Sequence, residues 1–262
     1  MASARAEVVS SFTVVNGARS AGIYAIFEKW DLALPQKRNL DLVRQRDPLG
    51  LGSASRCRDL AATLNRQFDI EQRDRLLVEL AQAGTPLDTW RPLLLWHLTR
   101  DEFIVRDFLL NWLFPLHASG TWRIRTNDVL PYLAQLHGRA DIRIKDTWTE
   151  STSNRVAAGL LGLVVDFGLM TGSITREFVS YHLPDQALLY LLHAMVEVEP
   201  NADRLVHAAD WRMYLMAPDD LQQELFRLHQ HGRLHYEVAG SIAELRLPYL
   251  TAAAYARAEL IA

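Results

Sequence analysis

Thiol chemistry is nearly missing from this chain. A single cysteine, Cys57, stands among 262 residues, which excludes an intrachain disulfide framework and any zinc site built from several thiolates. Lysine is almost as scarce: the 28 basic residues include only Lys29, Lys37 and Lys145 as lysines. Cationic chemistry here is guanidinium chemistry, suited to planar, bidentate recognition of phosphate or carboxylate. Long apolar runs are absent too. None reaches the roughly 18 uninterrupted apolar residues of a membrane-spanning helix, and the best candidate, VAAGLLGLVVDFGLM at 156–170, is broken by Asp166. The N-terminal MASARAEVVSSF holds too short an apolar stretch for a secretory signal. A cytoplasmic protein with no membrane role is the expectation.

Enzyme signatures are missing as well. The GLGS at 50–53 lacks the Gly-Lys-Ser/Thr of a phosphate loop and has no strand before it. Neither a G-x-S-x-G elbow nor a His-Glu-x-x-His occurs. His229, His231 and His235 are the one metal-like cluster, but an i, i+2 pair on a helix diverges. Asp141, Asp146 and Glu150 lack the Glu-x-Lys partner of common nuclease sites and read as solvated loop acids. Cys57 falls on an apolar stripe and reads as core. The chain is expected to be no enzyme, with no cofactor, no metal and no small-molecule substrate.

What is present is a globular composition, 49% hydrophobic and 23% charged, enough for a core in one domain or in a few small ones. The formal net charge of −3 gives no case for nucleic acid by itself. Its distribution is uneven: the balance is +3 over residues 1–75, −1 over 76–180 and −5 over 181–262.

Helical periodicity dominates. ARSAGIYAIFEKW (18–30) aligns Ile23, Ile26, Phe27 and Trp30 on one side. After the turn-rich DPLGLGS, SASRCRDLAATLNRQF opens with Ser53 or Ser55 as cap and aligns Cys57, Leu60, Ala61, Leu64 and Phe68. Arg56, Arg58 and Arg66 fall off that line and are predicted to be exposed. A helix ending near Gly84 and two aromatic-rich helices through 86–120 supply the central core, with Arg100, Arg106, Asp101, Glu102 and Asp107 read as its charged outer face.

From Thr121 the style changes. A short strand in TWRIR leads into a helix capped by Thr126 or Asn127, and RADIRIKD alternates like a brief strand. KDTWTESTSNRVAAGLLGLVVDFGLMTGSITREFVSYHLP (145–184) then starts hydroxyl-rich and ends apolar. Helix, turn, helix and a strand pair joined by a Gly-Ser tip is the order of a winged helix-turn-helix. A recognition helix needs small, hydrogen-bonding groups at the end that enters the major groove, and a buried rear half. Ser151, Ser153, Asn154 and Arg155 stand at that entry, Arg143 and Lys145 precede it, and Arg176 lies in the strand after the turn. The same Thr149-Glu150-Ser151-Thr152 run is also an ordinary helix cap, which many proteins carry without touching DNA.

A looser echo follows, with helix APDDLQQELFRLHQHG, a hairpin turning at Ala239-Gly240-Ser241, and a last helix. Asp219, Asp220 and Glu224 on its helix argue against a groove role and for packing or partner contact. The expected fold is mostly α: an N-terminal helical bundle (1–120), a winged-helix-like module (121–184) and a C-terminal helical, winged-helix-like module (185–262).

FTVVNGARSAGIYAIFEKW, SASRCRDLAATLNRQF, LLLWHLTRDEFIVRDFLLNWLFPL and IKDTWTESTSNRVAAGLLGLVVDFGLM occur in the order and with the character of the BrxA-like proteins, small helical components of bacterial BREX phage-exclusion systems. The chain resembles that family over residues 12–195, most specifically at Arg106–Leu109 and Trp148–Leu169. The resemblance implies a helical protein with helix-turn-helix-like parts that binds double-stranded DNA with little sequence preference, beside other BREX subunits. The family carries no catalytic residues to transfer. Arg56, Arg58, Arg66, Arg143, Lys145, Arg155 and Arg176 are then expected to contact phosphate, and Ser151, Ser153 and Asn154 to meet backbone or base edges. Two other readings stay open: a protein-interaction adaptor for a larger defence subunit, and a winged-helix transcriptional regulator with a genuine operator.

Overall fold

Side-chain caps and short turns set the element boundaries along the chain. The structure, a computed structural model, describes residues 8–17, 19–139, 143–144, 147–240 and 242–261. Strand β1 (Val8–Val9) precedes helix α1 (Ser11–Asn16), whose cap Ser10 accepts the Phe12 amide, and then α2 (Ser20–Glu28) and α3 (Gln36–Arg46). Helix α4 (Ala54–Gln67) is capped by the Ser53 hydroxyl. It is followed by α5 (Arg75–Gln82), α6 (Leu87–Leu98) and α7 (Phe103–Phe108). The last continues through a π turn at Leu109–Leu113 into α8 (Phe114–Ala118). Pro115 has no N–H to return to Asn111, and the Phe114 amide instead bonds back to the Leu109 carbonyl, which widens the turn without breaking the helix.

Strand β2 (Arg123–Arg125) runs into α9 (Thr126–His137), β3 (Arg143–Ile144) and α10 (Glu150–Asp166). A hairpin of β4 (Met170–Thr171) and β5 (Thr175–Phe178) follows. The remainder is α11 (Asp185–Val196), α12 (Ala202–Val206), a 3₁₀ turn at Ala209–Tyr214, α13 (Pro218–Gln230), the strands β6 (His235–Ala239) and β7 (Ile242–Arg246), and α14 (Ala252–Glu259). The fold is mostly helical with small sheets, as expected. One start moves: α9 begins directly after Arg125, whose amide donates to Asp128 Oδ2 at 2.7 Å, rather than after Thr126 or Asn127.

Three small sheets hold the irregular parts. β1 pairs parallel with β3, tying the N-terminus to the segment before α10. β2, β5 and β4 form an antiparallel sheet in that order, with Ile124 opposite Arg176. β6 and β7 form a hairpin with Tyr236 opposite Leu245. One continuous apolar core runs through the chain from Val9 to Ala256, and Trp90, Trp211, Tyr214, Tyr236 and Tyr255 are its largest enclosed side chains.

Glu102 and Asp107 are not part of an outer face, whereas Asp101 stays partly exposed beside Arg73. Glu102 is 1% and Asp107 4% exposed, and each is held by groups remote in sequence. Glu102 accepts from Thr13 Oγ1 at 2.7 Å and from Arg66 Nε at 3.3 Å, while burial pushes its carboxyl upward in pKa despite both partners. Asp107 accepts from Tyr132, Asn111 and Arg139, and Arg106 pairs with Asp210 at 3.1 Å. Helical i, i+4 pairing accounts only for the Asn111 bond to Asp107, because a carboxylate out of water needs several donors at fixed positions and the others come from distant parts of the chain. Deeper still, His97 bridges Asp74 (2.6 Å) and Tyr190 (2.8 Å) with all three side chains enclosed.

Two outcomes follow for stability. Burial lowers the His97 pKa, with Asp74 only partly offsetting it. The unfolded chain therefore takes up a proton near the ordinary 6.5 that the folded chain refuses. That contribution is complete above this pH and is lost below it, so the melting temperature falls between pH 7.5 and 5.5, and His97→Gln flattens the dependence while lowering stability. Gly172 sits at φ 98°, and a Cβ there would drive into the Thr175 carbonyl. Gly172→Ala costs about 1–3 kcal/mol by denaturant titration.

Candidate nucleic-acid interface

Helix α10 answers its two-part sequence with two environments. Val156, Ala157, Leu160, Leu161 and Val164 face the core, about two per turn, against α9 and the sheet. The first turns stay open: Thr149 caps the helix, its Oγ1 accepting the Thr152 amide at 3.2 Å, and Glu150, Ser151 and Arg155 are exposed. Ser153 and Asn154 are half-buried, and the Asn154 amide donates back to the Glu150 carbonyl at 3.0 Å.

The flank of α10 that a free helix would expose is partly covered by the N-terminal segment. Gly159 lets α1 approach so closely that a Cβ there would lie 2.8 Å from the Val14 carbonyl oxygen and Cγ1. Arg19 lays its guanidinium over Gly162 and donates to that residue's carbonyl. The Ser20 amide, at the start of α2, donates to Asp166 Oδ2 at 2.7 Å. This strap runs in the same direction as α10, Val14, Arg19 and Ser20 meeting Gly159, Gly162 and Asp166 in turn, and leaves the N-terminal end of α10 uncovered.

At that end two of the expected arginines meet. Arg56, in the first turn of α4, and Arg155, in the second turn of α10, line one surface cleft of about 380 Å³ with Asn16, Gly17, Leu51 and a single acid, Asp59. Arg58 is exposed on the same end of α4. Among the described residues none of Arg56, Arg58 and Arg155 is held in an ion pair.

Other expected residues go elsewhere. Arg66 is drawn onto the buried Glu102 and is half-buried, not exposed, because it lies on the side of α4 that faces α7. Arg176 turns back from the hairpin, Nη1 donating to Thr126 Oγ1 at 3.3 Å and to the Ile174 carbonyl at 3.2 Å, with Nε enclosed and unpartnered. Burial first and the like charge of Arg19 second lower its pKa. Lys145 lies outside the described residues, and of Arg143 only the strand backbone is described. Two cations near α10 carried no expectation from the sequence: Arg19, just before α2, and Arg125, which is exposed opposite Thr175 on the sheet edge. The alternation Arg123, Ile124, Arg125 around one buried residue was the available signal for the second.

His229 and His235 pack edge to face with ring centroids 5.2 Å apart, and His229 Nδ1 accepts the Tyr236 amide at 3.2 Å; no metal-holding group of His, Cys, Asp or Glu occurs among the described residues. No described helix is long and apolar enough to cross a membrane. No curated protein matches the chain. The sequence model of the BrxA family matches residues 15–194, from α1 to the end of α11, and so takes in the strap, the cleft and all of α10. The chain belongs to the BrxA family, and with it to the components of BREX phage defence.

Proposed function

We propose that this protein is a non-catalytic double-stranded DNA-binding component of its defence system, with little sequence preference. One observation carries the reading: Arg56 and Arg155, remote in sequence, share a cleft beside the open end of α10 with no ion-pair partner. Guanidinium groups left unpaired at adjacent helix N-termini attract phosphate through charge and free amides together. Exposed Ser151 lies beside them at the groove-facing end.

The order of elements supports a winged helix-turn-helix as the vehicle. The helix ending at Ala118, then β2, α9, α10 and the β4–β5 hairpin, with β5 central in the sheet, follow the plan of that motif. The α9–α10 connection runs over 138–149 and is longer than the short turn of the simple motif. In this reading α10 is the groove helix, Arg125 and the hairpin tip are the wing's contacts, and Arg176 positions the hairpin instead of reaching phosphate.

A second reading has its own observation. Leu250 is 96% exposed and Val198 56%, on the acidic C-terminal third, where the Ala252 amide donates to Glu197. That surface suits contact with another BREX subunit, with or without a DNA role.

Labelled duplexes of unrelated sequence separate these readings. Affinity is expected to be similar for all of them and to fall steeply as salt rises from about 50 to 200 mM. Arg56→Ala with Arg155→Ala lowers affinity by about tenfold or more and reduces the salt slope by about 2, with melting temperature unchanged because both side chains are exposed. One strongly preferred sequence makes the protein a regulator, and no salt-sensitive binding makes it an adaptor.

A further inference from the structure

The β4–β5 hairpin ends in an apolar knob. Its tip is Gly172-Ser173-Ile174, and the Ile174 side chain is 83% exposed. Turns that face water are built mainly from glycine, proline, asparagine, aspartate and serine, so local chemistry does not ask for isoleucine here. The backbone beneath it is held closely. At Gly172 (φ 98°) the chain folds back until a Cβ would meet the Thr175 carbonyl. Arg176 Nη1 donates to the Ile174 carbonyl at 3.2 Å and to Thr126 Oγ1 at 3.3 Å, which ties the tip to the start of α9. A β-branched side chain also has few χ1 states to lose on contact. Ile174 is therefore a short, stiff projection on a braced turn.

Its surroundings say what receives it. The anchor of a protein interface sits among further apolar groups. Around Ile174 the stretch Thr171–Arg176 offers three hydroxyls, a glycine and a cation. Across the sheet Arg125 stands opposite Thr175, exposed and in no ion pair among the described residues. The flanking acids are already engaged, Glu177 by Arg123 at 2.7 Å and Asp128 by the Arg125 amide at 2.7 Å. One apolar side chain among hydroxyls and guanidinium groups matches a DNA minor groove, where a base step lies between two rows of phosphate. Architectural proteins deform DNA there by placing a side chain such as Ile, Leu, Phe or Met between base pairs.

We propose that Ile174 is a minor-groove wedge, which enters between two base pairs and kinks the duplex while Arg125 holds the adjoining phosphate. The wedge rests on the DNA-binding reading and adds a deformation that the phosphate contacts of Arg56 and Arg155 do not require. Pyrimidine–purine steps unstack most readily, so the kink settles at such steps while affinity stays nearly independent of sequence.

Ligase-driven circularisation tests this with the full chain. A linear duplex of about 100 base pairs is shorter than the persistence length of about 150 and closes rarely unaided. Anisotropy of the same duplex, labelled, reports binding separately from bending. Wild type is expected to raise the circularisation rate about tenfold or more, as a kink of about 20–90° per bound protein would. Ile174→Ser is expected to bind but to leave the rate at that of free DNA, while Ile174→Leu keeps the gain. Both variants melt as the wild type does, because the side chain is exposed. Saturated binding by the wild type with no gain in circularisation overturns the wedge and leaves the DNA reading standing. An undiminished gain with Ile174→Ser overturns the wedge as well. Absence of binding to any duplex removes the DNA reading, and the wedge falls with it.

Discussion

The close approach of the N-terminal segment to α10 is the contact on which the functional surface depends. Helix α10 is two-sided: α9 packs on one flank and the segment from Val14 to Ser20 on the other. The second flank works because residues 159 and 162 are glycine, so that the segment lies against backbone and not against side chains. The glycines weaken the helix as a free helix, and the strap returns that loss through close packing, the Arg19 bond to the Gly162 carbonyl and the Asp166 cap on α2. The cleft that Arg56 and Arg155 line is a consequence, opening outward where the strap turns at Gly17.

Buried carboxylates fix how the helices around this strap are arranged. Glu102 joins α1 and α4 to the start of α7 through Thr13 and Arg66, and Asp107 joins α7 to α9 through Tyr132 and Arg139. Such groups give little net stability against an apolar replacement, but removing one partner leaves an unpaired buried charge. Their contribution is register: a helix that slid by one residue would lose its donors. The same reasoning explains Arg66. A cation on α4 that looked free by periodicity serves Glu102, and the cations left for a ligand are those at the opposite end of that helix.

The helical content, the caps at Ser53 and Thr149, the core stripe of α4 and the hairpin turning near Gly240 were legible because each is a local property: a period of 3.6, a hydroxyl before an apolar run, a residue able to hold positive φ. The division of α10 into an open first part and a buried second part was legible for the same reason. What pairs with what was not. Arg56 and Arg155 share a cleft, and Arg66 meets the buried Glu102, only through tertiary packing that no local pattern encodes. Glu102 and Asp107 misled because i, i+4 spacing describes both a surface ladder and a set of inward anchors, and burial alone tells them apart. The strap was illegible because a short stretch such as Phe12–Asn16 has no periodicity of its own; its meaning lies in the glycines it meets 145 or so positions later.

A formal charge of −3 is compatible with phosphate binding because charges act locally. In cell-like salt a surface charge is felt over about 8–10 Å, so the acidic end carrying Glu197, Glu199 and Leu250 does not cancel a basic corner elsewhere on the molecule. The interior pairs matter less still to that field, since Arg66 with Glu102 and Arg139 with Asp107 neutralise each other one for one. What remains at the corner is set by which guanidinium groups the fold leaves without a carboxylate. Among the described residues Arg56, Arg58 and Arg155 are left so, Arg19 donates to a carbonyl, and Asp59 is the one acid lining the surface cleft. Among the described residues the surface cleft therefore carries two guanidinium groups against one carboxylate, although the chain as a whole is net negative.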